Sequence, residues 1–290
     1  MESENFRIAV GLLDTNKFDK AITFFTKVVE AEPDNSQAYN LRGITKFKLF
    51  DLEGAIKDIT KALQLNNQNH EAWFNKGEIF RYKKQFADAE FFLKTANEIY
   101  PGSLNYLTGL IRVTYAEKKY DCCIEYCNEI LKDRAYDNIA LSYRALCYSK
   151  QLRYLPAIQD YKILIQNGYA DETTYSNIGY WYSKIGEFKK AYNNLSIALE
   201  YNPTHPYALN NLGYVLYMQR NFKRALELVN QSLDIDPSNS YAYKNRAIIY
   251  LKTEQNSLAH ADLLRSKELG YLEDYGKEVE DLLHKYFLSS

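Results

Sequence analysis

The chain has 290 residues, with 36 basic against 37 acidic side chains and a formal net charge of -1 at pH 7. That balance gives no electrostatic case for a nucleic-acid polymer or an anionic membrane surface, whose binders carry a basic excess or patch. A hydrophobic share of 46% is ample for a packed interior, and the 27 tyrosines supply large contact area with a polar tip, so that some face solvent or a ligand.

The N-terminal MESENFRIAVGLL has acids where a secretory signal has a basic region, and Asp14 breaks its apolar run. No stretch approaches the ~18 apolar residues needed to cross a bilayer. The expectation is a soluble, cytoplasmic chain without membrane insertion. Four cysteines in a chain of this size do not make a disulfide framework and read as reduced thiols.

Taken in order, the chain repeats itself every 34 residues: 2-35, 36-69, 70-103, 104-137, 138-171, 172-205, 206-239 and 240-273, with no insertion between units. Residues 172-205 show the pattern most clearly. Tyr175, Gly179 and Tyr182 stand at steps of four and three, and after a turn at Gly186 the residues Ala191, Leu195 and Ala198 repeat that spacing. These are two apolar helical stripes in one hairpin. Early in each predicted second helix stands Ala21, Ala55, Ala89, Cys123, Ala157, Ala191, Ala225 or Ala259, and opposite it on the first helix Ala9, Gly43, Gly77, Ile111, Ala145, Gly179, Gly213 or Ala247. Small side chains allow axes to approach to ~8-10 Å. Larger residues beside them, such as Trp73 and Tyr175 on first helices or Phe25, Ile59, Leu93, Leu195 and Val229 on second helices, fill the layers between. Pro33, Pro101, Pro203 and Pro237 stop second helices, whereas Pro156 falls in a predicted first turn, where the missing N–H costs little. The fourth unit departs from the pattern at Ile111, and neither it nor the fifth has the closing proline. Residues 274-290 add one more stripe, Val279, Leu282, Leu283 and Tyr286, as expected of a capping helix over the last unit.

These columns resemble the tetratricopeptide repeat, with its 34-residue period and W-x2-L-G-x2-Y, A-x3-F, P signature, over residues 2-273. The resemblance implies an all-α, right-handed α-solenoid of eight helix-turn-helix repeats plus a C-terminal capping helix, with first helices lining a concave groove. It also implies a non-catalytic scaffold that takes an extended or helical segment of a protein partner. The alternative is an assembly subunit that self-associates through the groove or the cap, although a monomer is expected before a homo-oligomer.

The sixth position of each first helix reads Arg7, Leu41, Asn75, Gly109, Tyr143, Asn177, Asn211 and Asn245. A side-chain amide both donates and accepts, so it can hold a peptide backbone without reading its side chains. With helices ~10 Å apart and an extended chain rising ~3.3 Å per residue, successive asparagines would meet about every third ligand residue. The arrangement is similar to the asparagine ladder of the O-linked N-acetylglucosamine transferases at Asn177, Asn211 and Asn245, and more weakly at Asn75. Asn210, Tyr180, Tyr214, Tyr217, Lys184 and Lys252 stand nearby and complete the expected peptide site, concentrated in units six to eight. The family's carboxylate clamp for chaperone tails is not expected, because Ser142 and Leu146 stand where Lys and Asn would be needed.

Catalysis, cofactor and metal are not expected. Cys123 and Cys127 lie one helical turn apart but in columns filled elsewhere by apolar residues, and C-x2-C spacing is absent. His70, His205, His260 and His284 are scattered over the chain, and no phosphate loop, H-E-x-x-H or G-x-S-x-G occurs.

Overall fold

The computed structural model describes residues 3-271 and 276-288. Residue 2 of the first expected unit, residues 272-273 of the eighth, and residues 274, 275, 289 and 290 of the expected cap lie outside the described residues. Among the described residues every regular element is helical, and none is long and apolar enough to cross a membrane.

The chain falls into two compact units, Met1–Gln151 and Leu152–Ser290. The first holds α1 (Glu4–Asp14), α2 (Phe18–Ala31), α3 (Ser36–Lys48), α4 (Leu52–Leu65), α5 (His70–Tyr82), α6 (Phe86–Ile99), α7 (Leu104–Ala116), α8 (Tyr120–Asp133) and α9 (Asn138–Lys150). The second holds α10 (Tyr154–Gln166), α11 (Glu172–Lys184), α12 (Phe188–Tyr201), α13 (Pro206–Met218), α14 (Phe222–Ile235), α15 (Ser240–Lys252), α16 (Asn256–Glu268) and α17 (Glu278–Leu283), which runs on into a π turn at His284–Leu288.

Local chemistry sets these boundaries. Asn35, Asn69, Asp137, Asp171, His205 and Asn239 each accept a hydrogen bond from the backbone N–H three residues on, at the start of α3, α5, α9, α11, α13 and α15. Each satisfies one of the donors that a helix start leaves without an intrahelical partner. Before every second helix one residue takes a positive φ: Asn16, Phe50, Lys84, Lys118, Leu152, Gly186, Arg220 and Glu254. Gly186 does so without a Cβ penalty, while the others carry strain. At the far end, α2, α6, α12 and α14 stop two residues before Pro33, Pro101, Pro203 and Pro237. The prolineless α10 and α16 stop instead before Gly168 and Gly270, both at positive φ, the usual left-handed helix exit.

Within each unit the hairpin partners pack tightly, and each first helix also packs on the next: α1 on α3, α3 on α5, α5 on α7 and α7 on α9 in one unit, α11 on α13 and α13 on α15 in the other. Second helices meet each other at most marginally. Each unit is thus a stack of hairpins, solenoid fashion, whose first helices form the closer layer.

The small-residue columns set the approach within hairpins. A Cβ added at Gly43, Gly77, Gly179 or Gly213 would stand 2.7, 2.7, 2.5 and 2.6 Å from Ile59, Leu93, Leu195 and Val229 respectively. Glycine at these places is therefore a volume requirement. The fourth unit meets the same requirement with sizes exchanged. Ile111 is fully buried, and the residues opposite it are Cys123, whose Sγ lies 3.5 Å from the Ile111 carbonyl oxygen, and Cys127, in one core cluster. A large side chain on the first helix is matched by a small one on the second, which conserves volume. The cysteines therefore belong to the core of the first unit. Among the described residues no group of His, Cys, Asp or Glu side chains could hold a metal ion.

Candidate functional site

The site is built on the first-helix layer of the second unit, because α11, α13 and α15 carry most of the expected peptide contacts. Asn177, Asn211 and Asn245 occupy equivalent places on these three helices but have different surroundings. Asn177 is half-buried and donates through Nδ2 to the Tyr161 hydroxyl at 3.2 Å. Asn245 is 1% exposed and donates to Asn210 Oδ1 at 2.9 Å, with Asn210 itself fully buried. This amide pair ties α15 to α13, and among the described residues it leaves Asn210 Nδ2 and Asn245 Oδ1 without partners. Asn75, in the first unit, does the same for α5 and α3, donating to Asn40 Oδ1 at 2.9 Å. Two of the four ladder positions are thus occupied in joining neighbouring first helices. Asn211 differs from them. Its amide has no hydrogen-bond partner among the described residues, although the residue is only 8% exposed.

Around these amides the structure gathers rings and ammonium groups. Tyr214 and Tyr217 lie on α13 with ring centroids 6.3 Å apart, and Tyr217 also approaches Phe222 at 5.8 Å. Tyr180 on α11 meets Tyr241 on α15 edge to face at 6.3 Å. The exposed Lys184 places its Nζ 5.3 Å from the Tyr180 centroid and 5.4 Å from that of Tyr241, within cation–π range of both. Burial raises the hydroxyl pKa of Tyr214 and of Tyr217; for Tyr214 the Lys184 charge opposes the shift. Lys252, by contrast, lies exposed in the last turn of α15. It makes no ion pair or ring contact with these groups among the described residues.

Four further residues complete the cluster. Lys244, 1% exposed, packs its Nζ 4.5 Å from the Tyr241 centroid and 5.6 Å from that of Tyr214. Tyr241 in turn stacks on Tyr271 at 6.0 Å. Glu278, the first residue of α17, has both carboxylate oxygens 3.2 Å from Lys244 Nζ and accepts a 2.8 Å hydrogen bond from the Tyr271 hydroxyl. Burial pushes the Lys244 ammonium down to about 8 against the pull of Glu278. Burial also acts to raise the Glu278 carboxyl, but Lys244, Tyr271 and Lys184 outweigh it and hold it below its ordinary value. Val279 and Leu283 anchor this segment in a core with Tyr241, Ala247, Leu263 and Tyr271, against which Tyr180 also packs. The apolar stripe expected of a cap is therefore present at Val279, Leu282 and Leu283, while Tyr286 stays 48% exposed. Lys244 and Glu278 escaped the sequence reading because each, taken alone, reads as a solvated helix charge. A hint lay in their spacing, since Glu278 follows Lys244 by one repeat period and so comes to stack on it.

Chemically the face offers an open amide, tyrosine hydroxyls and two ammonium groups.

Family models described as tetratricopeptide repeat match residues 5–35, 36–69 and 70–103, and again 180–240. No curated protein sequence matches the chain. Among solved structures, a tetratricopeptide repeat protein from Parabacteroides merdae superposes with a TM-score of 0.70 at 16% identity, over 85% of this chain and 98% of that one. The C-terminal part of a TPR repeat-containing protein from Cytophaga hutchinsonii gives 0.67 at 18% identity, over 83% and 98%. The crystal structure of the APC/C hetero-tetramer Cut9-Hcn1 gives 0.63 at 15% identity, over 93% of this chain and 52% of that one.

Proposed function

The chain belongs to the tetratricopeptide repeat family, and on that premise we propose that it is a non-catalytic scaffold whose first-helix face on α11, α13 and α15 binds an extended or helical segment of a protein partner. Proteins of this family mediate protein–protein interaction. The division of residues 2-273 into eight repeats with a cap behind them is part of the proposal, as is a cytoplasmic setting.

The observation that carries the reading is Asn211. Its amide makes no hydrogen bond to another described residue, and it shares α13 with the neighbouring Tyr214 and Tyr217 rings. The amide is not among the polar atoms closed off from solvent without a partner, so it is open to a ligand's backbone N–H and C=O. Tyrosine adds contact area at low entropic cost. The bridging role of Asn245 makes it a support of the face and Asn75 stands in the first unit, so the direct contacts are Asn211, Asn177, Tyr180, Tyr214, Tyr217 and Lys184.

A photo-crosslinking residue at Tyr217, compared with one at the exposed Tyr192 on the second helix α12, tests this. A protein captured from position 217 and not from 192 supports the reading. Equal capture at both positions contradicts it.

A further inference from the structure

We propose that Glu278 fills a seat on the α11–α15 face made for an acidic side chain of a peptide ligand, and that the C-terminal segment is thereby a tethered competitor for that ligand. The inference rests on the peptide-binding reading above and adds the ligand's chemistry and a control on its entry.

Three observations converge. The first is the placing of charge. Lys244 is buried among tyrosine rings on α15, with Nζ 4.5 Å from the Tyr241 centroid, so helix and rings hold the ammonium in place whether or not Glu278 is present. A buried ammonium requires an anion. Among the described residues Glu278 is the one carboxylate in ion-pair contact with it.

The second is an imbalance. Lys184 on α11 projects over Tyr180 and over Tyr241, the ring that also carries Lys244. Among the described residues Lys184 has no carboxylate at ion-pair distance. Among the described residues two ammonium groups therefore share one ring while one carboxylate stands at ion-pair distance, a positive excess on this face. That excess is local, because the whole chain carries only -1.

The third is the ease of exchange. The Glu278 side chain is 50% exposed while that of Lys244 is 2% exposed. The open side of the carboxylate faces solvent, and partly exposed pairs are weak. A ligand carboxylate arriving from that side can take over Lys244 and the Tyr271 hydroxyl, with Lys184, which acts on Glu278 only from beyond ion-pair distance, as an added partner.

The test selects a random dodecapeptide library on the full chain, in wild type, Glu278→Gln and Lys184→Met forms. Glutamine keeps an acceptor for Lys244 and Tyr271 and so preserves the cap, and circular dichroism checks the helicity of all three. The proposal expects Asp and Glu to be enriched among peptides held by wild type. It expects those acidic peptides to bind Glu278→Gln roughly fivefold more tightly, the scale of one half-exposed ion pair, and the enrichment to vanish on Lys184→Met. Peptides selected without acidic enrichment, or acidic peptides indifferent to both substitutions, overturn it while leaving groove binding intact. Selection of no peptide by any form overturns the groove reading and this proposal together.

Discussion

Glycine-to-alanine replacement at two positions separates the packing argument from helix propensity. At Gly179 a new Cβ would stand 2.5 Å from Leu195 Cγ, 2.9 Å from its Cδ2 and 3.2 Å from the Ala191 carbonyl oxygen. Carbon atoms rest comfortably at about 3.5–4.0 Å, so the overlap with Cγ is about 1 Å. Cγ is the branch point of a fully buried leucine, so the whole side chain must shift, and the backbone oxygen of the same helix cannot turn aside as a side chain can. Alanine gains about 1 kcal/mol in a helix over glycine, while overpacking of this kind costs about 1–3 kcal/mol, with the strained carbonyl contact adding to the upper part of that range. Gly179→Ala is expected to be destabilising by about 1–2 kcal/mol. Gly11 is also helical, but a Cβ there meets nothing within 4 Å. Gly11→Ala is expected to be stabilising by about 0.5–1 kcal/mol. Urea unfolding followed by circular dichroism at 222 nm, with tyrosine fluorescence as a second probe, reads both. Two changes of the same sign would refute the claim that glycine on the first helix is there for the approach of the second.

Other consequences follow from the same structure. Leu152 has φ 60° and is 72% exposed, so Leu152→Gly removes left-handed strain of about 1 kcal/mol and raises the unfolding midpoint; a lower midpoint contradicts the turn assignment. Cys127→Leu overpacks against Ile111 by about 1–3 kcal/mol, and the cost falls in an Ile111→Ala background, so a double-mutant cycle shows coupling above about 0.5 kcal/mol; additivity means the sizes are not exchanged there. Lys244, held down to about 8 beside Glu278, Lys184 and Tyr214, Tyr241 and Tyr271, titrates below its ordinary 10.5. Between those values the unfolded chain binds the extra proton, so stability rises with pH, by an amount on the order of 1–3 kcal/mol. Lys244→Met removes that rise, and an unchanged slope between pH 8 and 10 contradicts the assignment.

The architecture was legible in the sequence because it rests on side-chain volume. Ala191, Gly179, Ala225 and Gly213 can be recognised without coordinates, since only small residues let helices close up. The departure at Ile111 was legible as well, but its compensation by Cys127 was not, because an exchange of sizes between columns shows only once the helices are paired. Turn strain was hidden for a related reason. Phe50 and Leu152 are residue types that disfavour positive φ, so nothing in their identity marks the turn that Gly186 announces. The candidate site was legible in part. Tyr180, Tyr214 and Lys184 do come together, whereas Asn245 and Asn75 looked like rungs open to a ligand. Each has an asparagine placed one residue earlier on the preceding first helix, Asn210 and Asn40, and the amides close on each other. That pairing depends on the distance between stacked helices, which no single repeat encodes.

The most direct measurement is the calorimetric affinity of the partner captured at position 217 for wild type and for the Asn177→Ala, Asn211→Ala double variant, with helicity checked in each. Binding weaker by about 1–3 kcal/mol for each amide bond pair lost is expected, with helicity unchanged. Undiminished affinity would contradict it and place the partner on another face of the chain.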